Sequence, residues 1–328
     1  MTDPLVNKRN EWYDITVCDM DVHGRILTCI SSMHIESEKH MKRRLGDRKD
    51  GKLLRKIHVL HMIMPQLYKN RCDNEAFISE CIDLTNVNAY LAKKNAENPA
   101  YKYNVFQVMV TTMLKIITLR PKLNRFIANQ TMYQRNEISA AFTVKKIFSD
   151  NGAEALAIVR AKGSDTIDSV HDEIFRQVSV CRSDKLDDGL KAADLVCKVP
   201  RFMLNWVGML LRFLDRHGWV PQSIIKGDPN YASVFLTNLG SIGLNAGYHH
   251  LSNWGTTSIF VVIGGIKKRP FFDEEGNITM RDSVDLGLTI DERIADGYYY
   301  SRSIRLIKKL LENPELLERP LEEEVDYE

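Results

Sequence analysis

From Leu286 to Gly297 the chain reads Leu-Gly-Leu-Thr-Ile-Asp-Glu-Arg-Ile-Ala-Asp-Gly. An apolar run over residues 284–290 reads as a strand, and it passes through a short charged turn straight into a helix. That helix is expected over Gly297–Glu312, with Tyr300, Ile304, Ile307 and Leu311 on one apolar stripe. A strand and a helix joined this closely bury their apolar faces against each other. The last third of the chain is thereby committed to an α/β arrangement. Residues 233–237 and 258–266 add two more strands. The polar stretch 272–277, ending Glu-Gly-Asn, reads as a hairpin-type turn before Ile278.

Upstream the pattern is less regular. Residues 77–84 alternate well enough for a strand, after which Thr85 or Asn86 is placed to cap a helix through Lys94. Residues 105–119 form a strong helical pattern, with apolar side chains at 105, 106, 109, 110, 113, 116 and 117, ended by Arg120-Pro121. Residues 138–144 and 155–159 read as strands and 166–180 as a helix. Residues 15–17 and 26–30 are short β-like runs in a polar, irregular N-terminal part. The organisation expected is an N-terminal extension with strands joining the main fold (1–56), one large unit (57–321) and a frayed acidic tail (322–328).

Composition excludes several classes. Forty-five Lys and Arg against 43 Asp and Glu leave a net charge of +2, too little for bulk electrostatic capture of nucleic acid. The N-terminus has charges and no apolar core of signal-peptide length, so a cytoplasmic location is expected. Cys18, Cys29, Cys72, Cys81, Cys181 and Cys197 include no C-x-x-C pair, which suits reduced, buried or half-buried thiols better than disulfides or zinc. Residues 192–214 look almost membranous. Pro200 splits the window and Asp194, Lys198, Arg201 and Arg212 interrupt it, so a buried or subunit-facing helix is expected rather than membrane contact. A membrane-surface helix with snorkelling arginines is the other reading.

Four signatures occur in order: Ser79-Glu80-Cys81-Ile82-Asp83-Leu84-Thr85, then Leu119-Arg120-Pro121-Lys122-Leu123-Asn124, then residues 235–243 (Phe-Leu-Thr-Asn-Leu-Gly-Ser-Ile-Gly), then the 286–297 segment followed by residues 311–317. Together they resemble the dihydrolipoyl acyltransferase catalytic domains and chloramphenicol acetyltransferases over about residues 57–321. The resemblance implies a two-layer α/β sandwich with a mixed sheet, a homotrimer, and coenzyme A or acyl-CoA as cosubstrate, with no metal. It also implies acyl transfer to a small thiol, amine or hydroxyl acceptor. No lipoyl-domain signature precedes the segment, so a stand-alone member without a covalent lipoyl group is expected.

In that family a histidine takes the proton of the attacking thiol and a serine hydroxyl holds the oxyanion. Here the serine position is Thr237, which keeps the hydroxyl, followed by Asn238. The histidine position of His-x-x-x-Asp-Gly is Glu292, while Arg293, Asp296 and Gly297 are in place. The resemblance implies that Asp296 is locked to an arginine and that Gly297 lets the helix start pack closely.

Glu292 acts as base only if burial raises its proton affinity. His249 and His250, in a loop that lines the family's channel, are the other candidates, because imidazole titrates near neutrality. A catalytically silent homologue, binding CoA or scaffolding an assembly, is the rival reading. The basic run 39–49 is a candidate for CoA phosphates, and His58 and His61 read as packed.

Overall fold

The computed structural model describes residues 44–145, 154–182 and 199–327. The N-terminal β-like runs lie outside these residues. Leu45–Glu328 forms one compact unit.

A seven-stranded mixed sheet carries the fold. Its strands are β2 (Glu75–Asp83), β5 (Ile138–Lys145), β6 (Glu154–Ala161), β7 (Val234–Asn238), β8 (Ile259–Ile263), β9 (Lys267–Phe272) and β10 (Ile278–Asp291). The order is β2-β10-β8-β7-β5-β6, with β9 on the first half of β10. The β5–β7 and β7–β8 pairs are parallel and the others antiparallel. A smaller antiparallel sheet joins β1 (Gly51–Leu53), β4 (Thr131–Arg135) and β3 (Arg125–Ala128).

Alternation assigns the two faces of the large sheet. Ile259, Val261 and Ile263 of β8, with Val284, Leu286, Leu288 and Ile290 of β10, enter the main core. That core is closed by helices α2 (Thr85–Ala96), α3 (Val105–Leu119), α4 (Ile167–Arg182) and α7 (Gly297–Glu312). Phe260 and Val262 face the other way, where Leu251, Phe235 and Leu239 cover them.

Helix α3 starts with a reciprocal cap between Asn104 and Gln107 and is buried on all sides from Gln107 to Ile117. Lys115 is among the buried residues. Burial lowers its ammonium pKa, and Nζ donates to the Pro320 carbonyl at 2.6 Å.

Three expectations change. The tail is docked: Val325 and Tyr327 pack on the core, and the Tyr327 hydroxyl accepts from Arg120 at 2.8 Å. Cys72 and Cys81 are exposed, and among the described cysteines only Cys181 is buried. Residues 192–198 of the apolar segment lie outside the described residues; the rest forms α5 (Arg201–Arg216), none of whose residues is buried within the single chain, which removes the buried reading and does not bear on the subunit-facing one. Its C-terminal end is anchored through Asp215, which accepts from Arg48 at 2.9 Å and from the Tyr231 hydroxyl at 2.8 Å. A short α6 (Gln222–Gly227) follows, and α1 (Val59–Leu67) precedes β2.

Candidate active site

The motif turn is held from behind by buried charge. Asp291 ends β10 opposite Glu75 of β2. Its carboxylate takes two bonds from the Arg293 guanidinium, at 2.8 Å from Nε and 2.7 Å from Nη2. Arg293 Nη1 also donates to the Tyr68 carbonyl at 2.9 Å. Arg71 Nε lies 3.8 Å from the same carboxylate, while Arg71 Nη2 donates to the Ile127 and Gly255 carbonyls. Burial lowers the Arg71 pKa despite Asp291 nearby.

The arginine of this loop is therefore locked to Asp291 and not to Asp296. Asp296 caps α7 instead, accepting from the Tyr299 amide at 2.8 Å. A Cβ at Gly297 would meet open space within the subunit, so close packing there is not what requires glycine. Glu292 projects from this rigid turn with an exposed side chain; its amide donates to the Asn74 carbonyl at 3.0 Å. The apolar burial that would make it a base is absent within the single chain.

Thr237 and Asn238 end β7. Asn238 Oδ1 accepts from the Ser241 amide at 3.2 Å, which bends the chain into the turn. The following segment then lies directly on the outer face of the sheet. Such contact demands glycine: a Cβ on Gly264 or Gly287 would strike the backbone of Ala246 or Gly247. The segment carries His249 and His250 across that face.

His249 stacks on Phe260, with ring centroids 4.3 Å apart and planes 10° from parallel. The His250 side chain is 87% exposed, and its Nδ1 lies 3.3 Å from Glu75 Oε2. The Glu75 side chain is only 5% exposed, and its Oε1 accepts from the Leu251 amide at 2.5 Å. In the tautomer with the proton on Nδ1, that proton is directed at the Glu75 carboxylate and Nε2 carries the lone pair.

Thr237, His249 and His250 line one cleft of about 380 Å³, with Phe235, Leu251 and Phe260 as its apolar wall. A wider depression of about 790 Å³ shares Thr237 and His249 and continues along Phe106, Phe142, Leu239 and Ile263. Glu292 is not brought to this cleft. Thr237 is level with Val262 and, one strand further, with Gly287, five residues before Glu292. Strand spacings then separate Thr237 and Glu292 by about 19 Å within one chain.

Two relevant residues carried no sequence signal. Glu75 backs His250 from 175 residues away. His61, which read as packed, is half-buried and places Nδ1 3.1 Å from the Arg293 carbonyl, beside the motif turn. His58 is exposed and caps α1 by accepting from the Leu60 amide. Of the basic run, Arg48 is taken up by Asp50 and Asp215, and Lys49 donates to the Val220 carbonyl; residues 39–43 lie outside the described residues. Among the described residues, no three His, Cys, Asp or Glu side chains are grouped to hold a metal.

Residues 226–318 match the catalytic-domain profile of the 2-oxoacid dehydrogenase acyltransferases. Among solved structures, a probable dihydrolipoamide acetyltransferase from Listeria monocytogenes is 16% identical, with a TM-score of 0.52 over 79% of this chain and 93% of that one. A truncated catalytic core of the 2-oxoacid dehydrogenase multienzyme complex from Thermoplasma acidophilum is 18% identical, with a TM-score of 0.49 over 80% and 98%. No curated protein matches the chain. The fold is that of the CoA-dependent acyltransferases, and Thr237, His250 and Glu292 lie within the segment that the profile matches, which is less than half of the chain.

Proposed function

We propose that this relative of the 2-oxoacid dehydrogenase acyltransferases moves an acyl group between a CoA thioester and a small thiol, amine or hydroxyl acceptor. The observation that carries the reading is the cleft in which Thr237 meets His249 and His250, with the buried Glu75 carboxylate behind His250. The acceptor gives its proton to His250 Nε2 as it attacks the thioester carbonyl. The resulting imidazolium keeps Nδ1–H on Glu75, and the Thr237 hydroxyl donates to the oxyanion. Collapse expels the CoA thiolate, which recovers the proton from His250. The products are the acylated acceptor and free CoA, and no metal or redox partner enters the balance.

A homotrimer is part of the proposal. About 19 Å separates Thr237 from Glu292 in one chain, so only a neighbouring subunit can bring Glu292 to the cleft, where a carboxylate would bind or orient the acceptor. A stable monomer in light scattering removes that shared site. The observation favouring the rival reading, a silent CoA-binding or scaffold protein, is the exposed Glu292 at the family's histidine position.

Release of free thiol from a panel of acyl-CoA esters tests the proposal. His250→Ala is expected to lower kcat by about 10²–10⁴-fold, and Thr237→Val by about 10²–10³-fold. Glu292→Gln is expected to act mainly on KM for the acceptor. Measurable CoA binding without turnover of any ester decides for the silent reading.

A further inference from the structure

Helix α5 presents an apolar surface that nothing in the described chain covers. At 100° per residue its exposed apolar side chains, Phe202, Met203, Trp206, Val207, Met209, Leu210 and Phe213, occupy an arc of about 160°. Leu204, Gly208, Leu211 and Asp215, at spacings of four, three and four, form a half-covered stripe, and Leu214, on the apolar side near the helix end, is half-covered where it packs against Val220, Ile225 and Tyr231. The helix is therefore attached along one edge and at its end, with its broad apolar side turned away from the protein. Trp206 is 69% exposed and Trp219, just beyond the helix, 58%.

The charge on this helix has one sign where it faces out. Its single acid, Asp215, is turned inward and neutralised by Arg48. Arg201, Arg212 and Arg216 are exposed and form no ion pair among the described residues. A second copy of the same helix would bring arginines to arginines with no outward acid to answer them. An anionic lipid surface supplies both what the arc lacks, an apolar medium, and what the arginines lack, a countercharge. The helix must lie along such a surface and not through it. Sixteen residues extend about 24 Å against an apolar thickness of about 30 Å, and no described helix is long and apolar enough to cross.

We infer that α5, with Trp219, docks the protein peripherally on bilayers containing anionic phospholipid, its apolar arc inserted and Arg201, Arg212 and Arg216 at the headgroups. This takes up the membrane-surface reading of the segment in place of the buried or subunit-facing one, and it is independent of the proposed acyl transfer.

The test is sedimentation of the full chain with vesicles of phosphatidylcholine, alone or mixed with phosphatidylglycerol. Binding to the mixed vesicles, reversed by salt, is expected, with a blue shift of tryptophan emission that needs no variant. Trp206→Glu and Phe213→Glu should each weaken partition about tenfold or more. Arg201→Gln and Arg212→Gln should weaken it about fivefold each. Circular dichroism verifies that the variants fold. Absence of binding at low salt overturns the inference, as does equal binding to the two vesicle types. It is overturned equally if Trp206→Glu leaves vesicle binding unchanged while light scattering shows a smaller assembly, because the arc is then a protein interface.

Discussion

Asp291→Asn isolates the charge that holds the motif turn. The carboxylate is fully buried and faces two guanidinium groups: Arg293, bonded at 2.7 and 2.8 Å, and Arg71 at 3.8 Å. The amide keeps the shape, removes the negative charge and turns an NH2 donor towards arginines that can only donate. Two cations then remain buried without their counter-ion. Breaking a buried pair by removing one partner costs about 3–5 kcal/mol, equivalent to a melting temperature lower by roughly 6–10 °C in a unit of this size. Urea denaturation read from the midpoint at constant slope measures the change. Adding Arg293→Met to Asp291→Asn removes one of the stranded cations and should recover more than half of the loss. A single variant within about 1 kcal/mol of wild type would refute the reasoning, for the turn would not depend on the buried charge.

Asp296→Ala removes the cap on the first turn of α7 and is expected to cost about 0.5–2 kcal/mol in the same denaturation assay. Gly287→Ala drives a methyl into the Gly247 backbone; about 1–3 kcal/mol of stability should be lost, and turnover should fall with it because the histidine loop is lifted. At Asp83 burial alone would raise the pKa, but bonds from Thr85 and Arg281 outweigh it and hold the carboxyl below its usual value. Its contribution is therefore present above about pH 4 and lost as pH falls through the depressed folded value, so wild type and Asp83→Asn should differ at pH 7 and converge once the pH is below that value.

Elements whose periodicity and end signals agree were readable in the sequence. Helix α3 has an apolar pattern with Arg120-Pro121 after it, and it forms Val105–Leu119 as expected. The β3–β4 hairpin was not readable. Its two turn residues, Asn129 and Gln130, both hold positive φ, 47° and 61°, where a two-residue hairpin usually advertises itself with Asn-Gly. Glutamine at the second place hides the signal.

Helix α5 illustrates a different limit. Its apolar residues show in the sequence, but periodicity states only which side chains share a face, and not what covers that face. The acidic tail misled for the converse reason: Tyr327 gains an arginine partner from a helix two hundred residues away. The candidate site divides in the same way. Thr237, His249 and His250 are local to one strand and its loop and could be named from sequence. Glu75 could not, since its role arises from strand pairing that sets β2 beside β10.

That division bears on what a kept motif means. Asp291 with Arg293 closes the turn, and Asp296 starts the helix; both tasks are met inside the subunit without any proton transfer. Glu292, between them, takes part in neither task, because its side chain is exposed and makes no bond to the locked face. The physical constraint on the segment is thus compatible with loss of the base at one position and its supply from another. Under the proposed function the base is supplied from the loop bearing His250. It is pinned to the sheet at Gly264 and Gly287, its imidazole is oriented by a buried carboxylate, and it opens on the cleft that already holds the Thr237 hydroxyl. Orientation of this kind requires a fixed backbone beneath the side chain, and here the fixed backbone is the same β10 strand that the motif turn terminates.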